Sequence, residues 1–450
     1  MNIKDDASLA MIPVAYKEDK LYSVIPNNDD GDFDFSRSSK GTRVNKGGFI
    51  EEMDNDIPRL DYPLLDGVVQ DCPTILLEPS RTNRITDTEG WSNFADREAT
   101  ITDVTNITAP DGGISGIKKL TATSTNQPRI EWNQISIPST TTTYVWSVFV
   151  KKDTARYVGL SHFSDTTQNV IFDLDTGSIE DETGTDVLAK IEYYGNGWYR
   201  ISKGATVLST VTDNIFKFNL CTQDAINTGV NGESALIWGF QIEIGLYVSS
   251  FIPTTTVGAI TTRSADACED SEPDFNDTEG VLYVNAKIDE LNTDTNTISL
   301  GDGTFSSNSV EIAFEQGSFS QKIKGFCTIN GSTISLISTT IEDFSIKHGL
   351  FHKVAYQYKQ ADFKMFVNGF KIGTSNYNDI FASGDLQRLS FYGNGTSFTE
   401  FYSETKELMT FNQSMTDAEM EKLTSYESFK EMATEQLYTC LLYTSDAADE

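Results

Sequence analysis

The sequence predicts an all-β protein: tandem antiparallel β-sandwiches, an extended N-terminal segment and one C-terminal helix. Three observations carry this. Short runs of alternating apolar residues recur between clusters of Gly, Asn, Asp, Thr and Ser, the pattern of half-buried strands joined by turns. Almost no stretch shows the 3.6-residue period of a helix. Hydrophobic residues make up only 38% of the chain, but 27 Phe and 18 Tyr supply enough aromatic bulk to fill sandwich cores. At roughly 150 residues per domain, 450 residues suggest about three units, long enough to bury cores without disulfides or structural metals.

Residues 1–84 are turn-rich and predict an extended attachment or assembly segment. Residues 85–262 predict a first sandwich holding all five tryptophans (Trp91, Trp132, Trp146, Trp198 and Trp238). Its clearest strand runs from Tyr144 to Val150, rich in the β-branched and aromatic residues that pack on a pleated surface. Residues 263–277 are polar, acidic and contain Pro273, as a linker does. Residues 278–415 predict a second sandwich without tryptophan. There Phe363, Met365 and Val367 alternate up to Asn368-Gly369, after which Phe370 resumes; Asn-Gly suits a type I′ hairpin, which needs positive φ at both central positions. Residues 416–439 predict the helix. Thr416 and Glu419 form a capping box, Met415 and Met420 a hydrophobic staple, and Met420, Leu423, Phe429 and Met432 recur at helical spacing. Residues 440–450, CLLYTSDAADE, break from everything before them and resemble the in-frame translation of a transposase sequencing adapter. They are expected not to be native, and the natural C-terminus is expected to be missing.

Charge excludes several functions. The chain carries 66 Asp and Glu against 34 Lys and Arg, a formal charge of −32. No basic cluster is present to track phosphates, which argues against nucleic-acid binding, and an anionic membrane surface would repel the chain. No apolar run reaches the roughly 18 residues of a membrane helix, and the first residues lack the charged and apolar regions of a secretion leader. Cys72, Cys221, Cys268, Cys327 and Cys440 form no CxxC pair, and His162, His348 and His352 lack a partner set, so zinc is not expected. The cysteines are expected to be buried, reduced thiols.

Phe35 opens a run, FSRSSKGTRVNKGGFIEEMDNDIPRLDYPLLDG followed by ILLEPSRTN, that resembles the opening of phage head-spike and tail-fibre proteins. The matching positions are Ser36, Arg37, Ser38, Thr42, Arg43, Val44, Asn45, Pro58, Arg59, Asp61, Tyr62, Leu76, Leu77, Glu78, Arg81, Thr82 and Asn83. GNGWYRIS (195–202), IWGFQIEIG (237–245), SSFIPTTT and TRSAD resemble the late strands and exit of a carbohydrate-binding-module-like jelly roll. HKVAYQYKQADFKMFVNGFKIG, LSFYGNG and LMTFNQSMTDAEMEKLTS resemble a concanavalin A-like, laminin-G-like domain. The resemblance covers most of residues 33–430. It implies a virion protein made in the host cytoplasm, a homotrimer beside other virion proteins, which recognises a host-surface polysaccharide or glycan. A capsule-cleaving depolymerase and an architectural decoration protein without a ligand are the alternatives.

Arg37, Arg43, Arg59 and Arg81 lie near Glu51, Asp61 and Glu78. They are expected to form structural ion pairs, because the planar guanidinium pairs bidentately with carboxylates. Trp146, Trp198 and Trp238 sit within alternating strands and are expected in the core. Trp132 and Tyr193, the latter beside a Gly-Asn-Gly turn, are the candidate glycan contacts. The acids of Glu52-Met53-Asp54-Asn55-Asp56 superficially resemble a glycosidase triplet, but they fall in the N-terminal segment, outside either sandwich. No catalytic residue or cofactor is expected. Asn27 to Asp34 fails the EF-hand spacing and reads as a polar turn, with a structural Ca²⁺ in a sandwich loop left open.

Overall fold

The architecture is a computed structural model. It describes residues 3–428 and 432, apart from 89, 90, 92, 134, 137, 163, 164, 184–187, 212, 255, 288–295, 304–306, 318, 319, 340–348 and 394–399. Phe429, His348 and Cys440 therefore lie outside the described residues, as do residues 440–450.

The fold is all-β, as expected, and nearly all pairing is antiparallel between described strands. In the first sandwich one sheet runs in the order Ala95–Arg97, Arg129–Trp132, Phe216–Cys221, Tyr157–His162, Asp165–Asp173 and Ser178–Thr183. The other runs Ala99–Val104, Ile117–Ala122, Ser234–Ile244, Thr142–Lys152, Trp198–Val207 and Lys190–Tyr193. The period-2 alternation decides what each face does. Tyr144, Trp146, Val148 and Val150 point inward to meet Phe216, Phe218 and Leu220 of the facing sheet. Phe149 points outward, where it joins Trp198, Trp238 and Phe251 in a second apolar cluster capped by Ile50.

The second sandwich pairs a sheet of Ser332–Ser338, Ser320–Ile329, Ser309–Gly317, Asn296–Gly301 and Arg388–Ser390 with a larger one. The larger sheet runs Phe370–Ser375, Phe363–Val367, Phe351–Lys359, Glu279–Lys287, Glu404–Phe411, Thr74–Leu76 and Leu60–Asp61, with Leu9–Met11 also on Glu404–Phe411. The N-terminal segment is thus extended, and three of its strands complete this sheet. Its side chains Leu9, Met11, Leu21, Phe33, Phe35, Leu60 and Ile75 pack in the same core as Leu282, Val354 and Leu408. Residues 263–277 are likewise built in: Ala267–Glu269 pairs with Phe33–Ser36, and the Asp277 carboxylate accepts from the N–H groups of Gly384 and Leu386 at 2.8 Å each.

Asn368 and Gly369 adopt φ of 51° and 85°, closing the expected hairpin. The helix is α-helical over Asp417–Thr424, shorter than the expected 416–439. Its capping box forms as read from the sequence. Its C-terminus is fixed by docking: the Gly369 N–H donates to the Thr424 hydroxyl (3.1 Å), Lys353 takes the Ser425 carbonyl (3.2 Å), and Ser425 is extended. Met420 and Leu423 bury against Tyr283, Phe366 and Met409, covering half of the large sheet's outer face.

Cys221, Cys268 and Cys327 are buried thiols, whereas Cys72 is exposed, correcting that expectation. Cys72 falls between the short strands Val68–Val69 and Thr74–Leu76, where no packing layer covers it. Among the described residues no group of three or more His, Cys, Asp or Glu could hold a metal ion, and no helix is long and apolar enough to cross a membrane.

Candidate functional site

The ion pairs predicted for the N-terminal arginines converge on a buried network. Glu78 accepts from Arg59 Nη1 at 2.5 Å and from Arg263, while Asp266 pairs with Arg59 Nη2 and with Arg37 Nη1, the last at 3.1 Å. Ser250 adds its N–H and hydroxyl to the Glu78 carboxylate, both at 2.7 Å. Burial alone would raise the Glu78 pKa, but Arg263, Arg59 and Ser250 outweigh it and hold the carboxyl well below the usual range. The ladder between Arg81–Asn83 and Thr261–Arg263 brings these residues together. Arg43 pairs with Glu51 at 3.0 Å as expected, and Arg81 comes within 4.0 Å of the buried Glu243. Arg263 and Asp266 were missed as partners, because about 190 residues separate them from Glu78 and nothing local relates the two segments. Asp61, expected to pair with an arginine, instead accepts the Val44 N–H at 2.7 Å.

Trp132, expected as a glycan contact, is placed inside the first sandwich and not on its surface. Its ring is fully buried in the first core, 4.9 Å from that of Phe94. The inward position it occupies on the Arg129–Trp132 strand turns both ring faces toward packing partners. Tyr193 is half-buried. Its ring packs 5.0 Å from Tyr199 and against Gly67, and its hydroxyl accepts from the Gly197 N–H at 3.1 Å. It serves the turn from within, leaving little ring face for a sugar. Trp91, Trp146, Trp198 and Trp238 are all buried.

The concave site lies elsewhere, between the two sandwiches. A cleft of about 600 Å³ is walled by outward-facing residues of the first sandwich: Val145, Lys190, Glu192, Tyr194, Arg200 and Ser202. Opposite stand Asp61, Leu76, Glu404 and Lys287, on the half of the large sheet that the helix leaves uncovered. The hairpin Gly41–Val44/Ile50–Met53 and the loop 246–251, with Tyr247, close its sides. Register explains the far wall. Asp61 lies opposite Thr74 and Leu76 opposite Glu404, while the alternate partners Leu60, Ile75 and Thr405 turn to the other face of the sheet.

Most charges lining the cleft are matched. Lys287 pairs with Glu404 at 2.6 Å, Lys190 with Glu192 at 2.8 Å, and Arg43 with Glu51. Burial, then the neighbouring Glu404, push the Asp61 carboxyl up to about 7, against the opposing pull of the Val44 N–H and Arg59. Burial raises the Tyr194 phenol as well, keeping it a hydrogen-bond donor.

No protein-family model matches the chain, and no curated protein matches it significantly. Several solved structures are loosely similar. The Ruminococcus gnavus sialidase module CBM40 bound to α2,3-sialyllactose is 12% identical, covering 34% of this chain and 84% of its own, with a TM-score of 0.28. Domains LG4-5 of the mouse laminin α1 chain are 8% identical, covering 69% and 90%, with a TM-score of 0.24. The CBM22-1–CBM22-2 tandem of Paenibacillus barcinonensis Xyn10C is 10% identical, covering 78% and 95%, with a TM-score of 0.24. Likenesses this loose set no limit on what this chain binds.

Proposed function

We propose that this chain is a glycan-binding subunit of a virion fibre or spike, holding a host-surface oligosaccharide in the cleft between its sandwiches. The cleft carries the binding half of this reading. Its volume falls within the range of small-ligand sites, and it combines the phenols of Tyr194 and Tyr247 with hydroxyl, guanidinium and carboxylate groups, the mixture that sugar hydroxyls and pyranose faces require. The virion half is supported by the resemblance of residues 35–83, the segment that also builds one side of the cleft. Repetition in a homotrimer would turn weak single sites into firm attachment.

A glycan array, followed by titration of the best binder, tests the first half: binding is expected in the millimolar to micromolar range and is expected to weaken in Tyr247→Ala. No binding to any glycan would leave the architectural role. Mass spectrometry of purified particles, with sedimentation of the isolated protein, tests the virion and trimer assignments.

One observation favours a depolymerase as the second reading. Asp61 and Glu404 line the same cleft, the first carrying a proton up to about pH 7 and the second paired with Lys287 at 2.6 Å. Glycoside hydrolysis needs such a division between an acid and a carboxylate. Release of reducing ends from a bound polysaccharide, abolished in Asp61→Asn, would establish it; binding without product would exclude it.

A further inference from the structure

We propose that the cleft selects an acidic glycan, with Arg200 as the residue that reads the sugar carboxylate. This deepens the glycan-binding reading and rests on it.

Arg200 is 5% exposed. Its Nε and Nη2 donate to the Ser147 hydroxyl at 3.3 and 3.1 Å, and its guanidinium lies 5.3 Å over the Phe149 ring. Ser147 and Phe149 are outward residues of the neighbouring strand, so they hold the guanidinium from below, where it lines the cleft beside the Tyr194 phenol, which also accepts a hydrogen bond from it. A buried guanidinium is ordinarily matched by a carboxylate, because an uncompensated buried charge is costly. In this molecule Arg37, Arg59 and Arg263 obey that rule. Arg200 does not: among the described residues no carboxylate comes within 4.0 Å of it.

The acids that could have served are engaged. Glu192 is taken by Lys190. Glu243 lies behind, receiving Ser249 and Gln241, and burial raises its pKa toward the neutral form. Across the cleft Glu404 is held by Lys287, and Glu78 is committed to the arginine network. Glu192, opposite it on the neighbouring strand, and Glu243 act on Arg200 only through space, so among the described residues Arg200 is a buried guanidinium lining the cavity without a carboxylate in direct contact. A carboxylate carried in by a ligand completes it in the geometry guanidinium groups favour. A chain of net charge −32 repels polyanions at long range, so selection for an acidic sugar must come from a contact at short range, which Arg200 supplies.

The experiment uses the full chain and a panel of oligosaccharides containing galacturonate, glucuronate, mannuronate or sialic acid, each beside its carboxyl-reduced and methyl-esterified counterpart. At least one acidic member is expected to bind tenfold or more tightly than both counterparts, and raising the salt concentration should narrow the difference. Arg200→Gln should remove the preference, and Arg200→Lys should restore part of it, since the charge returns without the planar fork. Methyl esterification leaves the protein unaltered, so the test stands even if a variant misfolds. Equal binding of acidic and neutral forms, or a preference that survives Arg200→Gln, overturns the role of Arg200 while leaving glycan binding intact. Absence of binding across the whole panel overturns both.

Discussion

At the scale of single residues, the chain is expected to be most sensitive to substitution at a few buried charges. Arg59 is fully buried and bridges Glu78 and Asp266, which lie on segments far apart in sequence. Removing one member of a buried pair strands the other. Arg59→Ala or Glu78→Ala is therefore expected to cost about 3–5 kcal/mol in urea unfolding, and the double variant less than the sum of the two. The pH response has two opposed parts. Glu78 has a depressed folded-state pKa, so its contribution is present above its unfolded value and is lost as pH falls through the folded one. Asp61 is raised from 3.8 to about 7, so its folded state holds the proton more tightly and loses stability as pH rises through that window. Asp61→Asn keeps an acceptor for the Val44 N–H and removes the titration. Its melting temperature should exceed that of the wild type at pH 8 and converge with it near pH 4.

At the scale of elements, one irregularity decides which side chains reach the first core. Along Ser234–Ile244, Ala235 and Ile237 point inward while Leu236 and Trp238 point outward. Strict alternation would then turn Phe240 and Ile242 outward. Between Ser147 and Phe149 the facing strand advances two residues while this one advances three, from Gln241 to Trp238. The extra residue is a bulge, and it reverses the parity. Phe240 and Ile242 enter the core, and Gln241 and Glu243 turn toward the loop at Ser249. Gly239 makes this possible, with φ of 62° and a position where a Cβ would lie 3.1 Å from both Phe149 and Phe251. Gly239→Ala should cost about 1–3 kcal/mol in chemical denaturation.

At the scale of the molecule, the two sandwiches differ in self-sufficiency. Among the described residues, the buried side chains of the first core all lie between Ile85 and Ile242. The second needs Leu9, Met11, Leu60 and Ile75 from the N-terminal strands. A fragment of residues 85–262 is expected to unfold cooperatively with native near-ultraviolet dichroism. A fragment of residues 267–428 should lack that signal until residues 1–84 are supplied. Independent folding of the 267–428 fragment would show that the added strands contribute little. The same arrangement explains why the cleft exists: the segment that completes one sandwich lies against the outer face of the other, and the space left between them is the candidate site.

The sequence by itself determined the all-β class, the Asn368-Gly369 hairpin, the capping box at Thr416 and the core placement of Trp146, Trp198 and Trp238. Each follows from a local rule of turn geometry, capping or alternation, satisfied by residues within a few positions of one another. It also indicated that the N-terminal arginines would pair with acids, since Arg43–Glu51 and Arg59–Glu78 are near neighbours in sequence. Only the tertiary structure decided that Asp266 and Arg263 complete that network, that Trp132 is sealed in a core, and that Tyr194, Arg200, Tyr247 and Glu404 share one cavity. Those residues come from three separate stretches of chain. Their meeting depends on how whole sheets pack and on the parity of strands within them, and neither quantity is written in any short window of sequence.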